Sequence, residues 1–331
     1  MKLNLFKSLW GVVTADGGRS SLKQAVLRLK EQGYAGVECS VKLAHALNKQ
    51  GQFTGLLKEL GLSWIPIIYS SGPVNGWDPF LPSLDLLPIK HSDPVRHHLE
   101  GLQQQICDAQ IIAGTGTPIP FFNAHSGHDS FEHGQSVQLM EACAALEASQ
   151  GLTMVHEIHR GRICYSPWVV QRLLRDVPIK LVADYSHFMC VCEASPDDEL
   201  LSASISSMAT HIHHIHGRIG YENGPQVNDP RGPEWAQYVD VYVHWWEQIW
   251  TTQHRQHRAS STSLTPEFGP PPYQQELPST YQTSTGPVAD IAQVNDWLAA
   301  LVRQRFRAWE ASQRSPPGSG PMIGPVTVHT A

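Results

Sequence analysis

Short apolar runs alternate with longer amphipathic ones along most of the chain. The short runs are Leu3–Trp10, Ala35–Cys39, Trp64–Tyr69, Pro118–His125, Thr153–Ile158, Lys180–Asp184, His211–Gly217 and Ser263–Glu267. Each has the length of a buried strand. Between and after them lie predicted helices at Ser21–Gln32, Phe53–Leu60, Pro94–Ala113, Gly134–Ser149, Pro167–Arg175, Pro196–Ala209, Pro233–Thr252 and Val288–Ser312. Their apolar residues recur at mixed three- and four-residue spacing, as in the stripe Leu22, Ala25, Val26 and Leu29. Asp93-Pro94, Ser166-Pro167 and Ser195-Pro196 each place a capping residue before a proline at the first helical position.

Strand–helix alternation repeated eight times implies a parallel sheet with crossover helices, and eight such units close into an α/β, (β/α)8 TIM barrel without sheet edges. The rival is an open doubly wound sheet. That fold favours a glycine-rich phosphate turn after the first strand, and Gly11…Gly17-Gly18 lacks the required spacing. The 331 residues exceed the roughly 250 of a plain barrel but suit one with insertions. One barrel domain is expected over 1–312. The Pro/Gly-rich segment 313–331 is expected to be a flexible or loosely docked tail. Three long loops, Ser70–Asp93, Arg218–Gly232 and Gly269–Gly286, follow strands 3, 7 and 8, on the side where barrel active sites are built.

Composition narrows the function. A hydrophobic fraction of 41% with 16% charged residues suits a globular core rather than a disordered chain. The net charge of −6, with no Lys/Arg run, disfavours nucleic acid as a partner. The six cysteines are scattered without a CxxC pair, which fits reduced, mostly buried thiols; Cys190-x-Cys192 is the one close pair. Asn4 and Lys7 interrupt the first apolar run, and no run approaches the ~18 apolar residues of a membrane span. A cytoplasmic location is expected. Trp245, Trp246 and Trp250 on the seventh predicted helix suit either a core or a homo-oligomer face, and a core is the expectation.

The chemistry sits at the strand ends. Strand 5 ends His156-Glu157-Ile158-His159-Arg160, strand 6 reaches Asp184 and is followed by Tyr185-Ser186-His187, strand 7 carries His211, His213, His214 and His216, and strand 8 ends Pro266-Glu267-Phe268. Side chains alternate with period two, so one inward position per strand tip can converge on a common centre. Period two also puts His214 and His216 on one face and His211 and His213 on the other. Three carboxylates brought together repel unless a cation neutralises them, and a divalent metal is the economical explanation. Three oxygens and one imidazole favour Mn²⁺, Mg²⁺ or Co²⁺, with Zn²⁺ also compatible. Each residue has a plainer role open to it: Glu157 and Glu267 as loop acids, Asp184 as a turn cap, His187 as packing. At the mouth, Arg160 and Arg218 suit an oxyanion or a solvated surface position. Trp10 and Glu38 end strands 1 and 2 and are weaker candidates for shaping the pocket. Tyr273, after Pro270-Pro271-Pro272, is placed to cover the mouth.

Taken in order, these motifs resemble the xylose isomerase-like TIM barrel superfamily, which includes sugar isomerases, ketose 3-epimerases and apurinic-site endonucleases. The resemblance spans roughly residues 1–310, with its sharper motifs after residue 120. It implies one divalent metal held by Glu157, Asp184, His216 and Glu267, and it selects His216 over His214. It further implies that Glu157 and Glu267 act as acid and base, abstracting the proton α to a carbonyl to give a metal-stabilised enediolate. His187, His125, His159, Arg160 and Arg218 would contact substrate. The expected function is therefore a metal-dependent sugar or polyol isomerase or epimerase, with a small carbohydrate or polyol as substrate. A hydride-shift isomerase normally needs a second metal and a lysine near the mouth, and no strand tip above carries one.

Two other enzyme classes share the scaffold. A metal-dependent dehydratase or lyase uses the same α-proton abstraction. A zinc-dependent endonuclease-like phosphodiesterase needs more ligands. Strand 3 ends Ile67-Ile68-Tyr69 where that branch has histidine, and Asp229-Pro230-Arg231 stands where it has Asp-x-His. His125, His187 and Asp229 remain as ligands for further metal. A barrel retained only as a binding protein is disfavoured by the intact ligand set.

Overall fold

In a computed structural model, the residues described are 1–10, 18–71, 93–256, 260–277 and 286–314. Eight parallel strands close into a barrel in sequence order, with β1 paired to both β2 and β8. The strands are β1 (Lys2–Ser8), β2 (Gly36–Ser40), β3 (Ser63–Tyr69), β4 (Phe122–His125), β5 (Met154–Glu157), β6 (Leu181–Ala183), β7 (Ile212–Gly217) and β8 (Ser261–Pro266). The helices are α1 (Gly18–Glu31), α2 (Val41–Gly51), α3 (Phe53–Glu59), α4 (Pro94–Ala113), α5 (His133–Gln150), α6 (Pro167–Asp176), α7 (Tyr185–Val191), α8 (Glu199–Met208), α9 (Ala236–Arg255) and α10 (Ile291–Arg314). All eight expected strands and all eight expected helices are present; Pro94–Ala113 matches at both ends and the others differ at one or both.

Local chemistry explains the boundaries. Asp93 caps α4 by accepting from Arg96 N at 3.0 Å, with Pro94 in the first turn. The start expected at Ser195-Pro196 lies instead at Asp198, whose carboxylate accepts from Leu201 N at 2.7 Å. A charged cap three residues on outcompetes the serine, because the N-terminal helix dipole favours an anion. Two helices were not expected. Ser40 caps α2 through Leu43 N, and Asp184 caps α7 through Ser186 N.

Strand residues divide between two environments. Val37, Cys39, Trp64, Ile68, Ala124, Met154, Leu181, Ala183, Ile215 and Leu264 belong to the apolar core that packs the barrel against its helices. Their alternate neighbours, among them Glu38, Asn123, Glu157, His214, His216 and Thr265, are just as buried but make polar contacts with one another. Glu38 on β2 meets His216 on β7, and these strands are not adjacent in the sheet, so the contact crosses the barrel interior. Trp245, Trp246 and Trp250 are buried and join the apolar core, as expected.

Several sequence expectations lie outside the described residues: the glycines at 11 and 17, most of the loop after β3 (72–92), part of the loop after β8 (278–285), and the tail over 315–331. No helix among the described residues is long and apolar enough to cross a membrane.

Candidate metal centre

Glu157 ends β5, Asp184 follows β6, His216 lies near the end of β7 and Glu267 follows β8. One ligand atom from each lies within 4.8 Å of the other three, and all four residues are buried. Asp184 is divided between two tasks. Its Oδ1 accepts from Ser186 N and Ser186 Oγ, capping α7. Its Oδ2 is buried without a hydrogen bond and faces Arg218 Nη2 at 3.2 Å. Capping and site formation are one arrangement here, not alternatives.

His216 Nδ1 lies 2.7 Å from Glu267 Oε2 and 3.7 Å from Glu157 Oε2, yet it is buried without a hydrogen bond. Two orphaned buried atoms, Asp184 Oδ2 and His216 Nδ1, thus converge with two further carboxylates. That donor set fits a divalent cation. The protonation balance agrees. Burial pushes the Asp184 carboxyl up to about 6; Arg218 opposes this, while Glu267 and Glu157 add to it. Burial opposes charge on His216, but Glu267, Glu38 and Glu157 together raise its pKa well above the ordinary value. Burial works against the Glu157 anion too, yet His125 and His216 hold it well below the usual carboxylate range.

Beneath this set lies a network centred on Glu38, which is fully buried. Its Oε1 accepts from His216 Nε2 and Asn123 Nδ2, both at 3.0 Å. Its Oε2 accepts from Thr265 Oγ1 and lies 3.3 Å from His214 Nε2. Burial disfavours this anion, but His216 and His214 hold it below the ordinary range. Asn123 Nδ2 also donates to Glu157 Oε2 at 2.7 Å, linking the network to the upper set. With Nε2 of His216 committed to Glu38, Nδ1 is the nitrogen turned toward the three carboxylates. His214 sits one layer lower, bonded to Ser263 and Thr265 and packed near Phe6 and Phe121.

The expected substrate contacts surround the mouth. His125 Nε2 lies 2.9 Å from Glu157 Oε2, and its ring stacks on Tyr69. His159 and His187 have ring centroids 4.0 Å apart. Burial drives both imidazoles well below their ordinary pKa, and positive neighbours add to the effect. Both ring nitrogens of His187 are buried without a hydrogen bond. Arg218 Nη2 contacts Glu267 Oε2 at 2.5 Å, and its guanidinium lies over the rings of Trp10 and Tyr273. Arg160 stacks on Tyr273 as well. Gly269 permits this closure, since a Cβ there would stand 2.2 Å from the Trp10 ring. Asp229 is instead paired with Arg231 at 2.7 Å and joins none of the metal-capable groups among the described residues.

Sequence reasoning passed over Asn123 and Thr265 and underweighted Glu38. The signal available for Glu38 and Asn123 was a polar side chain at an inward register position within a buried run. Thr265, β-branched and small, carried none. A second metal-capable group, His125, Glu157 and His159, shares Glu157 with the first.

No protein-family model matches the chain, and no curated protein matches it. Solved structures of similar fold include a D-allulose 3-epimerase from Methylomonas sp., at 13% identity, 92% of this chain, 98% of that chain and a TM-score of 0.54. A xylose isomerase-like TIM barrel protein from Mycobacterium smegmatis, in complex with magnesium, aligns at 10% identity over 92% of this chain and 97% of that chain, with a TM-score of 0.53. A xylose isomerase domain protein from Alicyclobacillus acidocaldarius aligns at 12% identity over 95% of this chain and 100% of that chain, with a TM-score of 0.50. At such identities the likeness is one of fold: the chain has the fold of xylose isomerase-like TIM barrels.

Proposed function

We propose that this chain is a divalent-metal-dependent isomerase or epimerase acting on a carbohydrate or polyol that carries a carbonyl group. The carrying observation is the convergence of Glu157, Asp184, His216 and Glu267 within 4.8 Å at the barrel mouth. These four residues would hold one ion, with Mn²⁺, Mg²⁺ or Co²⁺ favoured by three oxygens and one imidazole. When bound, such an ion acts as a Lewis acid toward a carbonyl and its neighbouring hydroxyl. The magnesium complex of the similar Mycobacterium smegmatis barrel supports this choice.

The remaining chemistry falls to the protein. Glu157 and Glu267 stand on β5 and β8, separated in the closed barrel by two intervening strands on one side and four on the other. They therefore approach a bound substrate from different sides. One takes the proton α to the carbonyl, and the other returns it to the opposite face or the adjacent carbon. Glu157 is held ionised by His125 and His216, so it is in the protonation state that can accept a proton. His187, Arg218 and Tyr273 position substrate oxygens, and the stacked Trp10, Arg218 and Tyr273 limit water at one side of the mouth.

The test is isotope exchange. The Mn²⁺-loaded protein is incubated in D₂O with ketoses, inososes and keto acids. The expected result is metal-dependent deuterium uptake α to the carbonyl without loss of water. Water loss points to a dehydratase on the same barrel. Absence of exchange with every compound defeats the proposal.

A further inference from the structure

The wall of the pocket next to the metal ligands has an unbalanced charge. Arg218 is buried, and its Nε and Nη1 have no hydrogen-bond partner. Arg160 contacts the same aromatic ring as Arg218. The two guanidinium carbons lie 5.3 and 4.9 Å from the centroid of one ring, Tyr273. Arg160 Nε is also buried without a partner. No carboxylate lies within ion-pair reach of Arg160 among the described residues, whereas Arg218 answers Asp184 and Glu267. His187, with both ring nitrogens unbonded, borders the same space and stands 6.4 Å, ring to ring, from Tyr273.

A charge count shows what this wall requires. A divalent ion and the Arg218 cation together match the three carboxylates of Glu157, Asp184 and Glu267. Glu38 is answered within its own layer by His216 and His214, and Arg162 lies against Gly127 O and the Tyr69 ring, with Glu157 and Asp129 as its acidic neighbours. The Arg160 cation is left over. A guanidinium has donors only, so its partner must accept. A neutral hydroxyl can accept a hydrogen bond but leaves the charge unanswered. A carboxylate or phosphate oxygen does both, and the resulting bonds are about twice as strong as neutral ones. Burial sharpens the difference, since the Arg160 Nε is shut off from solvent and keeps its desolvation cost when unmet.

From this we infer that Arg160 and Arg218, with Tyr273 and His187, form an oxyanion subsite, and that the substrate is a hydroxycarbonyl compound bearing a carboxylate or phosphate away from the reacting carbons. The inference rests on the metal-assisted reading above and narrows its substrate class to sugar acids or sugar phosphates.

The experiment uses the full chain. Mn²⁺ binding is measured first by calorimetry. The loaded protein is then titrated with dihydroxyacetone, dihydroxyacetone phosphate and 5-hydroxylevulinate. All three present the same hydroxyketone, and the last two add a distal phosphate or carboxylate. At least one anion is expected to bind roughly tenfold more tightly than the neutral probe, a difference of about 1.4 kcal/mol. The tighter of the two identifies the group. In Arg160→Gln that preference should fall to near unity, while Mn²⁺ affinity stays within about twofold, since the substitution removes one charge and no proposed metal ligand. Equal binding of neutral and anionic probes overturns the subsite and leaves the metal reading standing. A preference that survives in Arg160→Gln also overturns it, because the unanswered Arg160 cation is then not what holds the anion. Failure of the unaltered protein to bind Mn²⁺ overturns both readings and is recognised at the first step.

Discussion

Glu38 makes no direct contact with a substrate in the scheme above, yet its replacement should weaken metal binding. In Glu38→Gln the amide oxygen can still accept from His216 Nε2 and Asn123 Nδ2, both 3.0 Å from Oε1. The new amide nitrogen faces Thr265 Oγ1 and His214 Nε2. The threonine hydroxyl can turn to accept. His214 can accept too, provided its Nδ1 donates to Ser263 Oγ at 2.7 Å. The fold should therefore tolerate the change. What is lost is the anion behind the His216 imidazole. Hydrogen bonds to a charged group contribute about 1.5–3 kcal/mol, against about 0.5–1.5 for neutral ones. The difference, about 1–1.5 kcal/mol, corresponds to roughly tenfold in metal affinity. Glu38→Ala leaves His216 Nε2 and Asn123 Nδ2 without this acceptor in a buried layer, and should cost about 2–5 kcal/mol of folding stability as well.

Competition with a chelating dye gives the metal affinity of each variant directly. Unfolding with and without Mn²⁺ separates the two effects, because a tenfold weaker ligand stabilises the fold by about 1.4 kcal/mol less at the same excess. Nitrogen-15 shifts of His216 in the Mg²⁺- or Zn²⁺-loaded protein report which ring nitrogen keeps its proton. The expected state is Nε2–H with Nδ1 bare. Wild-type affinity in Glu38→Gln, or a proton on Nδ1 with metal bound, would refute the reasoning.

Glu157→Gln and Glu267→Gln should each abolish α-proton exchange and weaken metal binding; full exchange with normal metal affinity in both would remove the assignment. In the metal-free chain, Asp184 titrates near 6 rather than at its ordinary 3.8, and the His216 pKa is raised. Both groups bind their protons better folded than unfolded, so the stability they lend is present at low pH. Asp184 loses it between about 4 and 6 and His216 at higher pH. Metal affinity should therefore rise from pH 5.5 to 8 as the competing protons leave, whereas the melting temperature of chelator-treated protein also carries His156, His159, His187 and His214, whose lowered pKa values add stability as pH rises through about 6.5. A flat affinity profile contradicts the site electrostatics. Trp250 is fully buried, with ring centroids 5.1 Å from Phe306 and 6.0 Å from Trp309. Trp250→Ala should cost about 3–5 kcal/mol in urea unfolding, and a loss below about 1 kcal/mol would show that the tryptophan is not core.

Eight strands in order were legible because each is a short apolar run between amphipathic segments, a pattern that survives uncertainty about its ends. The carboxylates of Glu157, Asp184 and Glu267 were legible for the same reason: an acid at the end of an apolar run stands out. Height within the barrel was not legible. Period two places His214 and His216 on the same face, and both prove inward. Only the stagger between neighbouring strands brings His216 level with Glu157 and Glu267 and leaves His214 level with Ser263 and Thr265. Glu38 was faint for a related reason. Its partners lie on β4, β7 and β8, and closure alone brings those strands across from β2. Helix α7 was missed because its cap is the site residue Asp184, which reads as the end of a strand rather than the start of a helix.

The two polar layers solve different problems. Glu38 is surrounded by donors from four residues and is satisfied without any ligand, so its layer serves as a rigid floor. The layer above is not self-sufficient. Three carboxylates share one guanidinium and two imidazoles, His125 and His216, with Asp184 Oδ2 and His216 Nδ1 left unbonded. In the metal-free chain that imbalance is relieved only by protonating Asp184 or His216, which their raised pKa values reflect. A divalent ion relieves it without protons and leaves the carboxylates free to act as bases. The under-neutralised layer thus links the affinity for metal, the pH dependence of the fold and the capacity for proton transfer to one set of residues.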